Sequence, residues 1–147
     1  MNWINLQLKI KLLSPDAQLP RYAHPDDSGM DLTSVADVTI APGARTLVPT
    51  GIAIELPPGT EAQIRPRSGL ALRHGITVLN TPATIDEGYR GELQIILTNH
   101  GDANFHVTKG MRVAQMVICP VLRPEIVIAE SFTETSRSTS GFGSTGV

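Results

Sequence analysis

The sequence predicts an all-β protein, a sandwich or barrel of many short strands with one short helix. Apolar and polar residues alternate with period two in several segments. Turn sequences separate these segments about every 8–12 residues, a spacing typical of sandwiches and barrels. The 147 residues, 41% of them hydrophobic, suffice for one domain with its own core.

The strands are predicted from alternation, and the turns from glycine, proline and asparagine. Alternation covers residues 6–12, 52–56, 93–97 and 113–121, and Ile126 and Ile128 are predicted to begin another strand. In the fourth segment, Gln115 is predicted to share a face with Val113 and Val117. The turn sequences are Pro42-Gly43, Thr50-Gly51, Pro57-Pro58-Gly59, residues 99–102 and Lys109-Gly110.

The stretch SGLALRHG, residues 68–75, is predicted to form about two helical turns. Ser68 can cap the start of the helix, and Gly75 can end it in a left-handed conformation. Arg67 precedes it with a guanidinium that suits phosphate oxygens, and the N–H groups of Ser68 and Gly69 favour anions. The alternative is a plain helix cap beside a solvated charge.

The stretch VLNTPATIDEGYRGEL, residues 78–93, is predicted to form a hairpin that turns through Pro82. Its lip carries Asn80, Asp86 and Tyr89. Backbone groups of such a lip can bind a flat heterocycle, and Tyr89 can pack on an adjoining ring. Asp86 follows the apolar Ile85, so partial desolvation could make it a general base. Equally, it could be a turn aspartate that bonds its own backbone.

Two further polar residues have open roles. Asp31, in DSGMDL, is either a turn residue or a partner for water on a divalent cation. Gln115, in RVAQM, needs a hydrogen-bond partner, which is either a ligand or the backbone.

The C-terminal stretch RSTSGFGSTGV, residues 137–147, is too polar and glycine-rich to fold alone. It nevertheless contains Arg137, a strong anion binder, and Phe142, a ring that can stack on a base. Its Gly, Ser and Thr residues can donate successive hydrogen bonds to phosphate. The tail is either a segment that closes on a nucleotide polyphosphate or plain disorder.

Composition excludes several classes of function. The net charge of −2 favours neither nucleic acid nor an anionic membrane, and no apolar run reaches the ~18 residues of a membrane span. Cys119 is the single cysteine, so no intrachain disulfide can form. The N-terminus lacks a signal-peptide layout, and we expect a cytoplasmic protein. The histidines and Cys119 have no metal-site spacing.

Five of these stretches, in order, resemble the five motifs of the trimeric deoxyuridine triphosphatases (dUTPases). They are DSGMDL, PRSGLA, NTPATIDEGYRGEL, RVAQM and RSTSGFGSTG, and the resemblance runs from about Tyr22 to Val147. It implies a distorted jelly-roll β-barrel and a homotrimer whose three active sites are each built from all three chains. It also implies a β domain at residues 1–132 and a flexible tail at residues 133–147 that closes over a neighbouring active site.

The resemblance implies Mg²⁺-dependent hydrolysis of dUTP to dUMP and pyrophosphate, which keeps uracil out of DNA and supplies dUMP for thymidylate synthesis. Asp86 would activate the water that attacks the α-phosphorus. No direct protein ligand to the metal is expected, and Asp31 and Gln115 would act through its waters. The implied substrate contacts are Asn80, Thr84 and Ile85 for uracil, Tyr89 for deoxyribose, Arg67, Ser68, Gly69 and Gln115 for phosphates, Gln94 as a further ligand-side contact, and the tail residues Arg137, Phe142, Gly143, Ser144 and Thr145.

Three residues depart from the family pattern: Ala83, Ser138 and Ser140 stand where glycine is usual.

Two other functions remain open. The deoxyCTP deaminases share the fold but carry a catalytic glutamate where this chain has Ile96. A non-catalytic relative could act as a sensor that binds nucleotide or a protein partner. Such a protein could lose its catalytic base or its tail, whereas this chain retains Asp86, Arg137 and Phe142.

Overall fold

A computed structural model describes residues 6–142. That part of the chain contains eleven strands and one helix. Their bounds are β1 Lys9–Leu12, β2 Arg21–Tyr22, β3 Met30–Thr33, β4 Val38–Ile40, β5 Arg45–Glu55, β6 Thr60–Arg65, α1 Ser68–His74, β7 Ile76–Val78, β8 Ala83–Ile85, β9 Glu92–Asn99, β10 Phe105–Val107 and β11 Arg112–Pro120. Within residues 6–142, no helix has the length and apolarity needed to cross a membrane.

The strands form two main antiparallel sheets and a small ribbon. One sheet has the order β1-β5-β9-β7, the other β2-β3-β11-β6-β8, and β10 pairs with β4. Alternate side chains of both sheets meet in one apolar core, which includes Leu32, Ile52, Ile64, Leu93, Leu97 and Met116. The predicted all-β class with one short helix is confirmed.

Helix α1 ends as predicted but begins differently. Gly75 ends it with φ of +66°, a left-handed conformation that a side chain would strain. The capping position is occupied by Arg67, which makes no side-chain cap bond. Ser68 is therefore the first helical residue, and its predicted role as the cap is wrong.

The predicted hairpin at residues 78–93 is more elaborate than a simple turn. β7 pairs with β9 in one sheet, but the intervening β8 pairs with β6 in the other sheet. The connecting segment therefore crosses between the sheets. Ala83 begins β8 and is buried at 9% exposure in the core, so the β-carbon at this position is accommodated.

A β-bulge in β11 changes the predicted alternation. Arg112 pairs with Thr33 but Ala114 pairs with Leu32, so Val113 is an extra residue in this strand. Val113 and Ala114 are consequently both buried. The expectation that Gln115 shares a face with Val113 is wrong, because the extra residue shifts the pattern by one.

The strand predicted at Ile126 and Ile128 is absent from the described residues. Residues 122–142 are exposed throughout and contain neither helix nor strand. Ile126 is 96% exposed. Just before this segment, the N–H of Val121 donates to the carbonyl of Gly59 at 3.0 Å, which is the last described backbone hydrogen bond between this end of the chain and the strands. A strand needs a neighbouring edge for its N–H and C=O groups, and here this segment pairs with none.

Candidate active site

The first candidate site is a cleft of about 430 Å³ between the loop before β3, the start of α1, and β11. It brings together the residues that the sequence assigned to phosphates and to metal-bound water: Asp31, Arg67, Ser68, Gly69 and Gln115. β3 and β6 flank β11 in the sheet, which places residues distant in sequence side by side. The cleft is called the phosphate cleft below.

Asp31 connects two arginines in the phosphate cleft. Its Oδ1 lies 3.1 Å from Arg67 Nε, and its Oδ2 lies 3.1 Å from Arg112 Nη1. The Asp31 side chain is only 19% exposed, so solvent screens these ion pairs less than it would at an open surface. Arg112 was not predicted as a site residue, because the bulge that brings it to Asp31 leaves no distinct signal in the sequence.

Gln115 is held in a fixed orientation. Its Nε2 donates a hydrogen bond to the carbonyl of Pro66 at 2.9 Å. The amide packs so closely on Gly29 that a β-carbon there would lie 3.1 Å from Gln115 Cδ. The motif glycine of DSGMDL therefore leaves room for the glutamine.

The chemistry of the cleft fits a magnesium ion held mainly by substrate phosphates. Asp31 and Gln115 offer the hard oxygen atoms that Mg²⁺ prefers. Both Asp31 oxygens already contact arginines, which suits hydrogen bonds from metal-bound water better than direct ligation. Residues 6–142 contain no cluster of three or more His, Cys, Asp or Glu residues that could hold a metal.

The second candidate site is a cleft of about 300 Å³ formed by β5, β8, β9 and the segment between β8 and β9. It brings together Thr84, Ile85, Asp86, Tyr89 and Gln94, all predicted site residues, and it is called the base cleft below. Leu47 and Ile96 give it apolar walls. Asn80 is exposed in the turn after β7 and does not line it.

Two side chains on the rim of the base cleft are fixed by hydrogen bonds. The hydroxyl of Tyr89 donates to the carbonyl of Glu92 at 3.0 Å. The carboxylate of Glu92 accepts from the backbone N–H of Gly51 at 2.9 Å and from Gln94 Nε2 at 3.2 Å. Glu92 thus orients both Tyr89 and Gln94.

The Asp86 carboxylate makes no hydrogen bond or ion pair with any other residue of the described chain. Its backbone carbonyl accepts from the N–H of Tyr89 at 3.0 Å, which closes a turn, but its side chain takes no part. The interpretation as a turn aspartate that bonds its own backbone therefore finds no support. Asp86 is exposed, so the predicted desolvation would have to come from a bound ligand or another chain.

The predicted site residues fall into separate groups in a single chain. The phosphate cleft and the base cleft share no lining residue. Arg137 Nε donates to the carbonyl of Ser140 within the tail at 3.1 Å, and Phe142 is fully exposed. Gly143, Ser144 and Thr145 lie outside the described residues.

Comparison with known proteins gives a consistent result. The family model for dUTPase matches residues 15–146. The deoxyuridine 5'-triphosphate nucleotidohydrolase of Gloeothece citriformis is 61% identical over 142 residues, covering 97% of this chain and 98% of that protein. The protein of the same name from Clostridium tetani is 62% identical over 139 residues, covering 95% of this chain and 96% of that protein.

Solved structures agree with this result. The dUTPase of Staphylococcus bacteriophage 80alpha, determined with dUpNHpp, matches with a TM-score of 0.90 at 28% identity, covering 96% of this chain and 99% of that chain. A mutant dUTPase from phage phi11 of S. aureus matches with a TM-score of 0.81 at 25% identity, covering 86% of this chain and 98% of that chain. That structure is described as revealing the coordination of a structural Mg(II) ion.

The fold and the comparisons place the chain among the jelly-roll hydrolases of nucleotide metabolism. More particularly, the chain belongs to the dUTPase family. It is a dUTP diphosphatase, and it hydrolyses dUTP. The family resemblance and the jelly-roll fold expected from the sequence are confirmed.

Proposed function

We propose that the protein converts dUTP to dUMP and pyrophosphate by a water molecule that Asp86 activates. The supporting observation is the Asp86 carboxylate, which lines the base cleft and makes no hydrogen bond to the described chain. In the proposed step, Asp86 takes a proton from water as the water oxygen bonds to the α-phosphorus. The bond from that phosphorus to the bridging oxygen breaks, and pyrophosphate leaves. Such a base typically contributes about 10²–10⁴-fold.

We assign uracil and deoxyribose to the base cleft. The backbone around Thr84 and Ile85 would pair with the uracil edge. Cytosine, whose amino group reverses donor and acceptor, leaves those groups unpaired, which is costly in a site built to pair them. The Tyr89 ring, fixed by its bond to Glu92, would pack on deoxyribose and leave no room for a 2′-hydroxyl. Asn80 is assigned to uracil on the resemblance alone.

We assign the triphosphate to the phosphate cleft. Arg67, Ser68, Gly69 and Gln115 would donate to the phosphate oxygens, and Asp31 would keep Arg67 in place. Mg²⁺, when bound, neutralises phosphate charge during the displacement. Asp31 and Gln115 would accept hydrogen bonds from its waters. This role does not require a cage of protein ligands.

The two clefts share no lining residue, which supports an active site built from more than one chain, and the resemblance implies that the assembly is a homotrimer. One dUTP molecule must contact both a base site and a phosphate site, and within a single chain these clefts share no residue. In the proposed assembly, the base cleft of one chain faces the phosphate cleft of the next. The exposed apolar residues of the segment after β11 supply further surface to bury between chains. They are Leu122, Ile126, Val127, Ile128 and Phe132.

The tail completes the proposed site from a third chain. As the resemblance implies, we assign residues 1–132 to the β domain and residues 133–147 to a tail that would close over the active site of a neighbouring chain. Arg137 would hold the terminal phosphate, Phe142 would cover uracil, and Gly143, Ser144 and Thr145 would surround the phosphates. Ordering the tail costs about 1–2 kcal/mol per residue, which these contacts must offset.

Deamination of dCTP is the nearest alternative, and the base cleft disfavours it. The deaminases resemble this chain at β9 but carry a catalytic glutamate where Ile96 stands. Here Ile96 forms part of the apolar wall of the base cleft. An isoleucine cannot transfer protons. On the family resemblance, we further propose a cytoplasmic enzyme that keeps uracil out of DNA and supplies dUMP for thymidylate synthesis.

A pyrophosphate-release assay tests this function. The protein is incubated with dUTP, dCTP, dTTP or UTP, with Mg²⁺ and again with excess EDTA. We expect release from dUTP in large excess over the others, and its loss with EDTA. Ammonia release from dCTP would establish the deaminase alternative. Nucleotide binding with no turnover of any substrate would establish the sensor alternative.

A further inference from the structure

Arg112 reaches the phosphate cleft because of the β-bulge in β11. Gln115 pairs with Asp31, and residues paired across antiparallel strands point to the same face of the sheet. In a regular strand, Arg112 lies three residues from Gln115 and so would point to the opposite face. The extra residue Val113 turns Arg112 onto the face of Gln115 and Asp31. Bulges frequently redirect a side chain in this way next to active sites.

Once on that face, Arg112 contributes to both described contacts of the Arg67 guanidinium, an ion pair and a hydrogen bond. The Arg67 Nε contacts Asp31 Oδ1, while Asp31 Oδ2 is held by Arg112 Nη1. The Arg67 Nη1 donates to the backbone carbonyl of Arg112 at 3.2 Å. The Arg67 guanidinium is therefore fixed in the cleft by Asp31 and by the bulged backbone, and Arg112 stabilises the first of these partners.

The charges of the cleft are balanced. Its walls carry two carboxylates, from Asp27 and Asp31, and two guanidinium groups, from Arg67 and Arg112. Without Arg112, Asp31 keeps one cationic partner, and the carboxylates outnumber the cations. A test must therefore separate positioning of Arg67 from a simple loss of positive charge.

We propose that Arg112 is a positioning residue, which holds Asp31 so that Arg67 keeps the orientation in which it binds the phosphate chain. The proposal rests on the proposed function in taking that chain to be the triphosphate of dUTP. Arg112 acts through Asp31 and Arg67, and it does not contact the reacting atoms. Because the phosphates are bound both before and during the reaction, its loss weakens binding more than it slows turnover.

The test compares Arg112→Gln and Arg112→Lys with a control, Arg45→Gln. Arg45 is exposed on β5 and lines neither of the two clefts. Its replacement by Gln removes the same formal charge as Arg112→Gln. For Arg112→Gln we expect about a tenfold rise in the KM for dUTP and in the Kd for dUpNHpp, with kcat changed less than about threefold. Arg112→Lys should recover most of the affinity, because one nitrogen of Arg112 makes the contact with Asp31.

A double variant distinguishes positioning from charge. In an Arg67→Gln background, Arg112→Gln should change the Kd for dUpNHpp less than about threefold, because the group that it positions is already gone. A persistent tenfold effect in that background would overturn the proposal, as would equal affinities of Arg112→Gln and Arg45→Gln. Failure of the proposed function is distinguishable, since the unmodified protein would then release no pyrophosphate from dUTP.

Discussion

Tyr89 folds back over Gly91, so that its hydroxyl donates to the carbonyl of Glu92 and its ring lies where a side chain at residue 91 would be. A β-carbon at Gly91 would lie 2.6 Å from Tyr89 Cζ, closer than any real contact. Gly91, the second glycine of GYRGEL, therefore leaves the room that the ring occupies. If this ring excludes the 2′-hydroxyl, sugar selectivity depends on Gly91.

We predict that Gly91→Ala displaces Tyr89 and weakens discrimination against UTP. The ratio of kcat/KM for dUTP to that for UTP should fall about tenfold, within the roughly 1–3 kcal/mol that a methyl-sized change contributes to selectivity. The matched control is Gly88→Ala in the same segment, where a β-carbon would meet nothing within 4 Å. Equal selectivity of the two variants would show that Tyr89 does not read the sugar.

We predict that Asp86→Asn retains nucleotide binding but loses turnover. The amide cannot accept the proton of water, so kcat should fall about 10²–10⁴-fold, while the Kd for dUpNHpp changes little. Stopped-flow assays and calorimetry measure the two quantities. Asp102→Asn, an exposed residue outside both clefts, is the control. Turnover near that of the control would exclude Asp86 as the base.

We predict that deletion of residues 137–147 lowers kcat/KM for dUTP by at least about tenfold, since the tail would supply an anion contact and a stacking ring. The described contacts of Arg137, Ser138 and Ser140 are all within the tail. The thermal unfolding midpoint should therefore stay unchanged. Thr139→Ala serves as a control within the tail. An intact rate after deletion would argue against closure of the tail over substrate.

We predict that the double variant Ile126→Asp and Ile128→Asp dissociates the proposed trimer. Both side chains are fully exposed in one chain, so charges there cost an isolated chain little. Buried between chains, an unpaired carboxylate costs several kcal/mol. Light scattering gives the mass, with the exposed neighbour Glu130→Ala as the control. A trimer of unchanged stability would show that this segment lies outside the interface.

The sequence alone predicted the features that depend on local pattern. β9 and the helix end at Gly75 follow from alternation and glycine. The resemblance named the residues that line the two clefts, but it gave no division into clefts within one chain. The bulge at Val113 was not predicted, because one extra residue leaves an apolar pattern that still fits a regular strand. The connection from Asp31 to Arg112 was also missed, since it depends on β3 lying beside β11.

The exposed segment at residues 122–142 shows that an alternating pattern does not by itself produce a strand. Ile126 and Ile128 have the pattern of a strand, but one chain provides no edge with which they pair.

The backbone conformation of Ser138 was also beyond the sequence pattern. Its φ of +45° lies in a region that favours glycine, the usual residue there in the family, and alternation carries no information about such an angle.

Complementation between two inactive variants tests whether the base cleft and the phosphate cleft of one active site come from different chains. Asp86→Asn and Arg67→Gln chains are unfolded together in equal amounts, refolded and assayed with dUTP. We expect recovery of about one quarter of the activity of the unmodified protein, since each active site then takes its base cleft and its phosphate cleft at random from the two variants. A mixture no more active than either variant alone would show that both clefts of an active site come from the same chain.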